Sequence, residues 1–344
     1  MPACDGAFYD PPHTFAIRPV ELREPGPADV VLRVSACGIC GSDLHQFHGR
    51  WPRPEVIWGH EVGAVVAQVE SAVSDLAPGY HVAVEPILRC GACRYCLTGR
   101  YLLCERGGFI SVDAHGGFAD RMVVPEYCCH RLSADVDPAL GAFCEPLAVG
   151  LHGVRLAEVD GAGTVLVLGA GTIGLMCVAA ARALGAGRIF VTAKYPHQRE
   201  AALRLGADAV LAANADLAAQ LGPLCPEGPD IVLETLGTVG GAIQQALEVV
   251  RKLGTVMLIG GMTEASALNL RPVIFKELRV LGSPCYGQIG VRRDFGIAAD
   301  LVSTGRVDVA PLASARYPLS EIQQAFLAAD DKTRGTIKVL VEPD

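Results

Sequence analysis

The stretch C-G-A-C-R-Y-C-L-T-G-R-Y-L-L-C places thiols at Cys90, Cys93, Cys96 and Cys104, separated by two, two and seven residues. Such spacing lets short loops aim four thiolates at one centre, and zinc takes four soft ligands as a closed tetrahedron. A site closed by four sulfurs leaves no position for substrate, so the lobe 90–104 is expected to hold a structural zinc. An iron–sulfur cluster and four unrelated thiols are the competing readings. A second set is dispersed. S-A-C-G-I-C-G-S-D-L-H supplies Cys37, Cys40, Ser42, Asp43 and His45; G-H-E-V-G supplies His60 and Glu61; F-C-E-P-L-A-V-G-L-H supplies Cys144, Glu145 and His152. Each residue alone is ordinary, since a single cysteine is usually buried as an apolar group. Together, thiolate, imidazole and carboxylate would hold zinc with one position open, which is the catalytic arrangement.

A third signal is V-L-G-A-G-T-I-G-L-M, with Gly169, Gly171 and Gly174 at G-x-G-x-x-G spacing and Thr172 and Ile173 inside it. It follows an apolar run and opens a helical one, the context that makes it a dinucleotide fingerprint. The first glycine permits the tight turn, the second a close approach of pyrophosphate, the third close packing of helix on strand. The helix N-terminus then offers unpaired N–H groups and its positive end to phosphate. An acid about 20 residues further on would bind the adenine ribose of NAD. Ala193 stands there instead, followed by Lys194 and Arg199. The repulsion of a 2′-phosphate is absent and two cations are at hand, so NADP is expected over NAD. The opposing reading makes both cations solvated and NAD accepted without its anchor. His197 is a further hydrogen-bonding candidate.

These residues need elements to position them. The first 130 or so residues carry short apolar runs (D-V-V-L-R-V-S-A, E-V-G-A-V-V-A-Q-V-E, H-V-A-V-E-P, R-M-V-V-P) between turn signals, which predicts an antiparallel β-domain. From Val165 onward, strand-length runs alternate with Ala- and Leu-rich helical stretches, the pattern of a parallel sheet wrapped by helices. Near the end, Ser320 and Gln323 have capping-box spacing. Ile322, Ala325, Phe326 and Ala329 would share one helical face. A last strand, G-T-I-K-V-L-V-E-P, is expected to return to the first domain.

Composition sets the outer limits. The chain has 344 residues, 51% apolar and 19% charged, enough for two domains of a globular enzyme. Its net charge of -8, without any basic run, argues against nucleic acid. The uncharged segment 164–181 has the length of a membrane span, but early glycines and a strand-like first half argue against one. The start lacks the basic and apolar regions of a secretory signal, and 13 cysteines suit metal ligation and buried thiols in a reducing cytoplasm. No G-x-S-x-G, P-loop or H-E-x-x-H motif occurs.

Cys-Gly-x-Cys-Gly-Ser-Asp-x-His, Gly-His-Glu, the four-cysteine lobe, Glu-Pro-Leu-Ala-Val-Gly and Gly-Ala-Gly-x-x-Gly occur in that order. In this ordered set the whole chain resembles the zinc-containing medium-chain dehydrogenases, and most closely their polyol (sorbitol-type) and threonine dehydrogenase branch. The resemblance implies an α/β protein. A β-rich GroES-like catalytic domain would comprise 1–149 and 286–344, and a Rossmann domain with a doubly wound parallel sheet would comprise 150–285. It implies a catalytic zinc on Cys40, the residue before Gly-Ser-Asp, and on His60, with Glu61 near the metal or behind it. The third ligand is a cysteine in alcohol dehydrogenases and a glutamate before proline in polyol dehydrogenases. Glu145 precedes Pro146 and fits the polyol pattern; Cys144 is the fallback.

By the same resemblance Ser42 would hand on the alcohol proton, with His45 as outer relay. Thr235, Gly237, Ile259, Gly260, Gly282 and Ser283 would complete the cofactor pocket. Two zinc ions per chain and a homo-oligomer, dimer or tetramer, are implied. The expected substrate is a secondary alcohol with a neighbouring hydroxyl: a polyol, sugar or cyclitol. A threonine-type or simple secondary alcohol is the alternative, and a retired dehydrogenase sensing NADPH is the non-enzyme one. Phe47, Trp51 and Phe109 are open to a core or a substrate-facing role. Tyr80-His81 replaces the Asp-Arg of many relatives, which predicts altered local packing.

Overall fold

The computed structural model describes residues 4–344 except 53, 214, 238–240, 262–264 and 266. The chain divides into two compact units, Met1–Glu145 with Gly287–Asp344, and Pro146–Tyr286.

In the first unit the strand Asp29–Gly38 is the centre of a seven-stranded sheet. It pairs antiparallel with Glu61–Val69, with Arg121–Pro125 and with the last strand, Lys338–Glu342. Apolar residues of these strands close over Trp58, Phe118 and Phe326, all essentially without solvent exposure. The helix Ile322–Asp330 buries Ile322, Ala325, Phe326 and Ala329, the face that the helical period selects. Phe326 touches the rings of Phe15, Phe47, Trp58 and Phe118.

The helix entry is not a capping box. A short 3-10 turn, Leu319–Glu321, precedes it. The Ser320 hydroxyl donates to the Asp344 carboxylate, and the Gln323 amide donates to the His13 carbonyl. Both polar groups found partners far away in sequence, so the local pattern did not decide. At Tyr80-His81, the Arg131 guanidinium lies 4.0 Å over the Tyr80 ring and His81 Nδ1 is 2.9 Å from the Val136 carbonyl.

The second unit holds six parallel strands: Thr164–Leu168, Arg188–Ala193, Ala209–Ala212, Ile231–Glu234, Thr255–Leu258 and Arg279–Gly282. Numbered within the unit, their order is 3-2-1-4-5-6, the doubly wound dinucleotide-binding order. Strand residues Leu166, Phe190, Val232 and Val256 form its core with Ile243 and Leu247 of the helix Gly241–Val249. The apolar segment 164–181 is a buried strand, a turn and the helix Thr172–Ala183. Among the described residues no helix is long and apolar enough to cross a membrane.

Candidate active site

The four cysteines of the lobe bring their sulfurs within 4.8 Å of one another. Measured separations are 3.6 Å for Cys93–Cys96, 3.9 Å for Cys93–Cys104 and 4.0 Å for Cys90–Cys96. A tetrahedron with metal–sulfur bonds of about 2.3 Å has edges of about 3.8 Å, so the donor set fits zinc. Backbone N–H groups of Ala92 and Cys93 pull the Cys90 thiol down to about 6, towards the thiolate that a metal needs. Among the described residues this is the one group of three or more such side chains drawn so close.

The dispersed set gathers around His60. Cys40 caps the short helix Gly41–Phe47, and its backbone N–H donates to the Asp43 carboxylate at 2.8 Å. His60 precedes the strand Glu61–Val69, after Gly59, whose φ of +91° and contact with the Cys37 sulfur leave no room for a side chain. His60 Nδ1 lies 3.9 Å from Asp43 and 3.4 Å from the Ser111 hydroxyl. Burial pulls the imidazole down, but Cys40, Asp43 and Glu145 together outweigh it and carry it up to about 10. A thiol and two carboxyl groups thus all act on this one imidazole. Cys144 is fully enclosed and burial alone pushes its thiol up, whereas Glu145 is among the groups acting on His60. Cys37 is enclosed in the core, near the Gly38 carbonyl.

Glu61 is fully buried and both of its oxygens accept from Lys338 Nζ, at 2.5 and 2.8 Å. The Ser42 hydroxyl oxygen is enclosed and without a hydrogen-bond partner among the described residues. His45 is half-buried beside Trp51, ring centroids 5.0 Å apart; burial, then Arg50 and His48, push its pKa down. Phe109 lies 5.3 Å from the His60 ring, while Phe47 is a core residue.

In the second unit the three glycines meet three demands. Gly169 has φ +100°, and a Cβ there would strike Leu236. A Cβ on Gly174 would lie 1.9 Å from the Gly169 carbonyl. Gly171 is exposed and a Cβ on it would enter open space, the cradle that a pyrophosphate needs. Thr172 and Ile173 begin the helix. Ala193 ends its strand; Lys194 is exposed, its ammonium 5.2 Å from the Tyr195 ring centroid. Arg199 donates to the Val210 carbonyl at 2.8 Å, so part of its guanidinium is already used. His197 is half-buried, its ring 5.5 Å from that of Tyr195. Thr235, Gly237, Ile259, Gly260, Gly282 and Ser283 all lie at or just beyond the carboxyl ends of the fourth, fifth and sixth strands.

Residues 26–134 match the alcohol dehydrogenase GroES-like domain, and residues 172–304 match the zinc-binding dehydrogenase domain. The chain is 33% identical to 2-dehydro-3-deoxy-L-galactonate 5-dehydrogenase of Pseudoalteromonas atlantica, over 92% of each chain. It belongs to the zinc-containing medium-chain dehydrogenases, in their polyol branch. Sorbitol dehydrogenase of Arabidopsis thaliana is 33% identical over 95% of this chain and 92% of its own. A protein of Sinorhizobium meliloti 1021 assigned as a zinc-binding dehydrogenase, solved with NADP, has a TM-score of 0.90 and 35% identity over 100% of both chains. This medium-chain dehydrogenase is thus an oxidoreductase with the GroES-like and Rossmann folds, acting on CH–OH groups with zinc and NAD(P).

Sequence reasoning missed several supports of the dehydrogenase's site. Lys338 comes from the last strand, 277 residues from Glu61, and also donates to the Ile39 carbonyl at 3.0 Å. Ser111 reaches His60 from a left-handed backbone position, φ +81°. Glu85, fully buried, fastens the four-cysteine lobe: it accepts from the Tyr101 hydroxyl and meets His130, Arg293 and Arg89 at 2.9, 3.1 and 3.4 Å. Nothing local in H-V-A-V-E-P or in the last strand pointed to Glu85 or Lys338.

Proposed function

We propose that this dehydrogenase oxidises a secondary alcohol flanked by another hydroxyl, on a polyol, sugar or sugar acid, with NADP preferred over NAD. The His60 surroundings support the reading: Cys40 and Glu145 both act on one buried imidazole, so a thiol, an imidazole and a carboxyl group are available as the three donors of a catalytic zinc. Cys40, His60 and Glu145 would hold a catalytic zinc, and Cys90, Cys93, Cys96 and Cys104 a second, structural one. The sorbitol and sugar-acid dehydrogenases among its relatives support the substrate class. Lys194 beside Ala193, and the NADP in the Sinorhizobium protein, support the cofactor preference.

Bound zinc supplies a Lewis acid for the substrate oxygen, and the nicotinamide supplies the hydride acceptor. Asp43 and Ser111 engage Nδ1 of His60 and so fix its ring for ligation through the other nitrogen. Glu61, neutralised by Lys338, stands behind the ligands as a compensated charge. Ser42 would take the proton that the alcohol gives up and hand it on, with His45 as the outer relay position. His45 is neutral near pH 7, because its pKa is pushed down, and it releases the proton to solvent. Gly169 to Gly174 would receive the pyrophosphate, and Lys194, with Arg199 and His197 as further candidates, would meet the 2′-phosphate. Thirteen cysteines, all free of disulfides, fit a cytoplasmic enzyme; homo-oligomers are the assembly expected of this branch.

The test is metal analysis with a substrate panel. Two zinc per chain and oxidation of polyols or sugar acids are expected, with Cys40→Ser losing one zinc and the activity. A Glu145→Ala protein with full zinc and full activity would move the third ligand to Cys144.

A further inference from the structure

The order of the parallel sheet changes direction between Thr164–Leu168 and Ile231–Glu234, the switch point where open α/β sheets bind ligands. Glu234 ends the second of these strands, in register with Leu168 on one side and Leu258 on the other. It is a charged residue type with no solvent exposure at the centre of an apolar sheet. Its Oε1 accepts the backbone N–H of Leu236 at 2.7 Å and of Gly237 at 3.1 Å. Its Oε2 is buried without a hydrogen-bond partner among the described residues. Its backbone carbonyl accepts from Ile259 and Gly260.

The turn so held touches the phosphate loop directly. Thr235 Oγ1 donates to the Leu168 carbonyl at 2.8 Å. The Leu236 side chain covers Gly169, where a Cβ would come within 2.5 Å of it. Gly237, at φ +59°, packs so tightly on Gly260 that a Cβ on Gly260 would lie 2.1 Å from the Gly237 nitrogen. The carboxyl group therefore holds the turn after the fourth strand, and that turn meets the loops that follow the first and fifth strands.

Resting on the dinucleotide reading above, we propose that Glu234 is a positioning residue of the cofactor crevice, holding the 235–237 turn against the phosphate loop and thereby setting cofactor affinity. Burial pushes its carboxyl up, against the two N–H donors that pull it down. Glutamine keeps the Oε1 acceptor and adds no charge, so it should replace glutamate here; aspartate is too short to reach both N–H groups.

Zinc-loaded wild type, Glu234→Gln, Glu234→Asp and Glu234→Ala are titrated with NADPH by fluorescence, with melting temperature as the check on folding. Glu234→Gln should bind within about twofold of wild type, while Glu234→Asp and Glu234→Ala lose about tenfold or more, the scale of one to two lost buried hydrogen bonds. At saturating cofactor their kcat should change far less than their cofactor KM. Wild-type affinity in the Asp and Ala variants would overturn the proposal, as would a Gln variant as weak as the Ala one. If Glu234→Ala does not fold, the Gln and Asp variants decide. A wild type that binds no dinucleotide would instead sink the cofactor reading itself.

Discussion

At Ser42 the hydroxyl oxygen is enclosed and makes no hydrogen bond among the described residues, so alanine there removes a proton carrier and no packing bond. Ser42→Ala should lower kcat by about 10²-fold or more while zinc content and NADPH affinity stay unchanged; stopped-flow hydride transfer checks it. Lys338 behaves in the opposite way, because its work is done inside the fold. Lys338→Met would strand the buried Glu61 carboxylate, a loss of about 3–5 kcal/mol by the usual cost of breaking a buried pair, read by denaturant unfolding. Asp29 gives a pH signature. The Arg23 hydrogen bond holds its carboxyl below the ordinary aspartate range despite burial. The folded pKa lies below the unfolded one, so the contribution is complete above the unfolded value and fades as pH falls through the folded value, below about pH 4. Asp29→Asn should flatten that acid limb in melting curves.

At the scale of elements, legibility followed distance along the chain. The cysteine lobe lies within fifteen residues, and its spacing alone predicted the sulfur cluster that the fold assembles. The G-x-G-x-x-G turn was equally local: Gly169 and Gly174 are required by close neighbours, while Gly171 opens onto free space. Glu85 was not legible, because its partners Tyr101, His130 and Arg293 arrive from three different segments. Ser320 and Gln323 misled for the same reason: two distant acceptors, Asp344 and His13, outcompeted the helix end. The lobe should therefore depend on both metal and anchor. Chelating the structural zinc should lower the melting temperature, and Glu85→Ala should do so even with zinc present, since it leaves Arg89, Arg293 and His130 without their carboxylate. Differential scanning calorimetry with zinc analysis separates the two effects.

For the whole molecule, the family follows from ordered motifs spread over both units, and the proposed substrate class from the polyol and sugar-acid dehydrogenases among its relatives. The antiparallel sheet of the first unit closes with the last strand, so Lys338 and the proposed ligands Cys40 and His60 belong to one folding unit although nearly 300 residues separate them. The six-stranded sheet contributes the glycine loop, Lys194 and Glu234 from the ends of its strands. The proposed preference for NADP rests on one position, Ala193, and on the cation beside it. The most direct measurement is the initial rate of NADP and NAD reduction by the zinc-loaded enzyme with sorbitol, xylitol, L-idonate and simple secondary alcohols. We predict turnover of a polyol or sugar acid, abolished by chelation, with a higher kcat/KM for NADP that Lys194→Ala reduces. Turnover restricted to simple alcohols, a preference for NAD that Lys194→Ala leaves untouched, or activity indifferent to zinc removal would contradict the account.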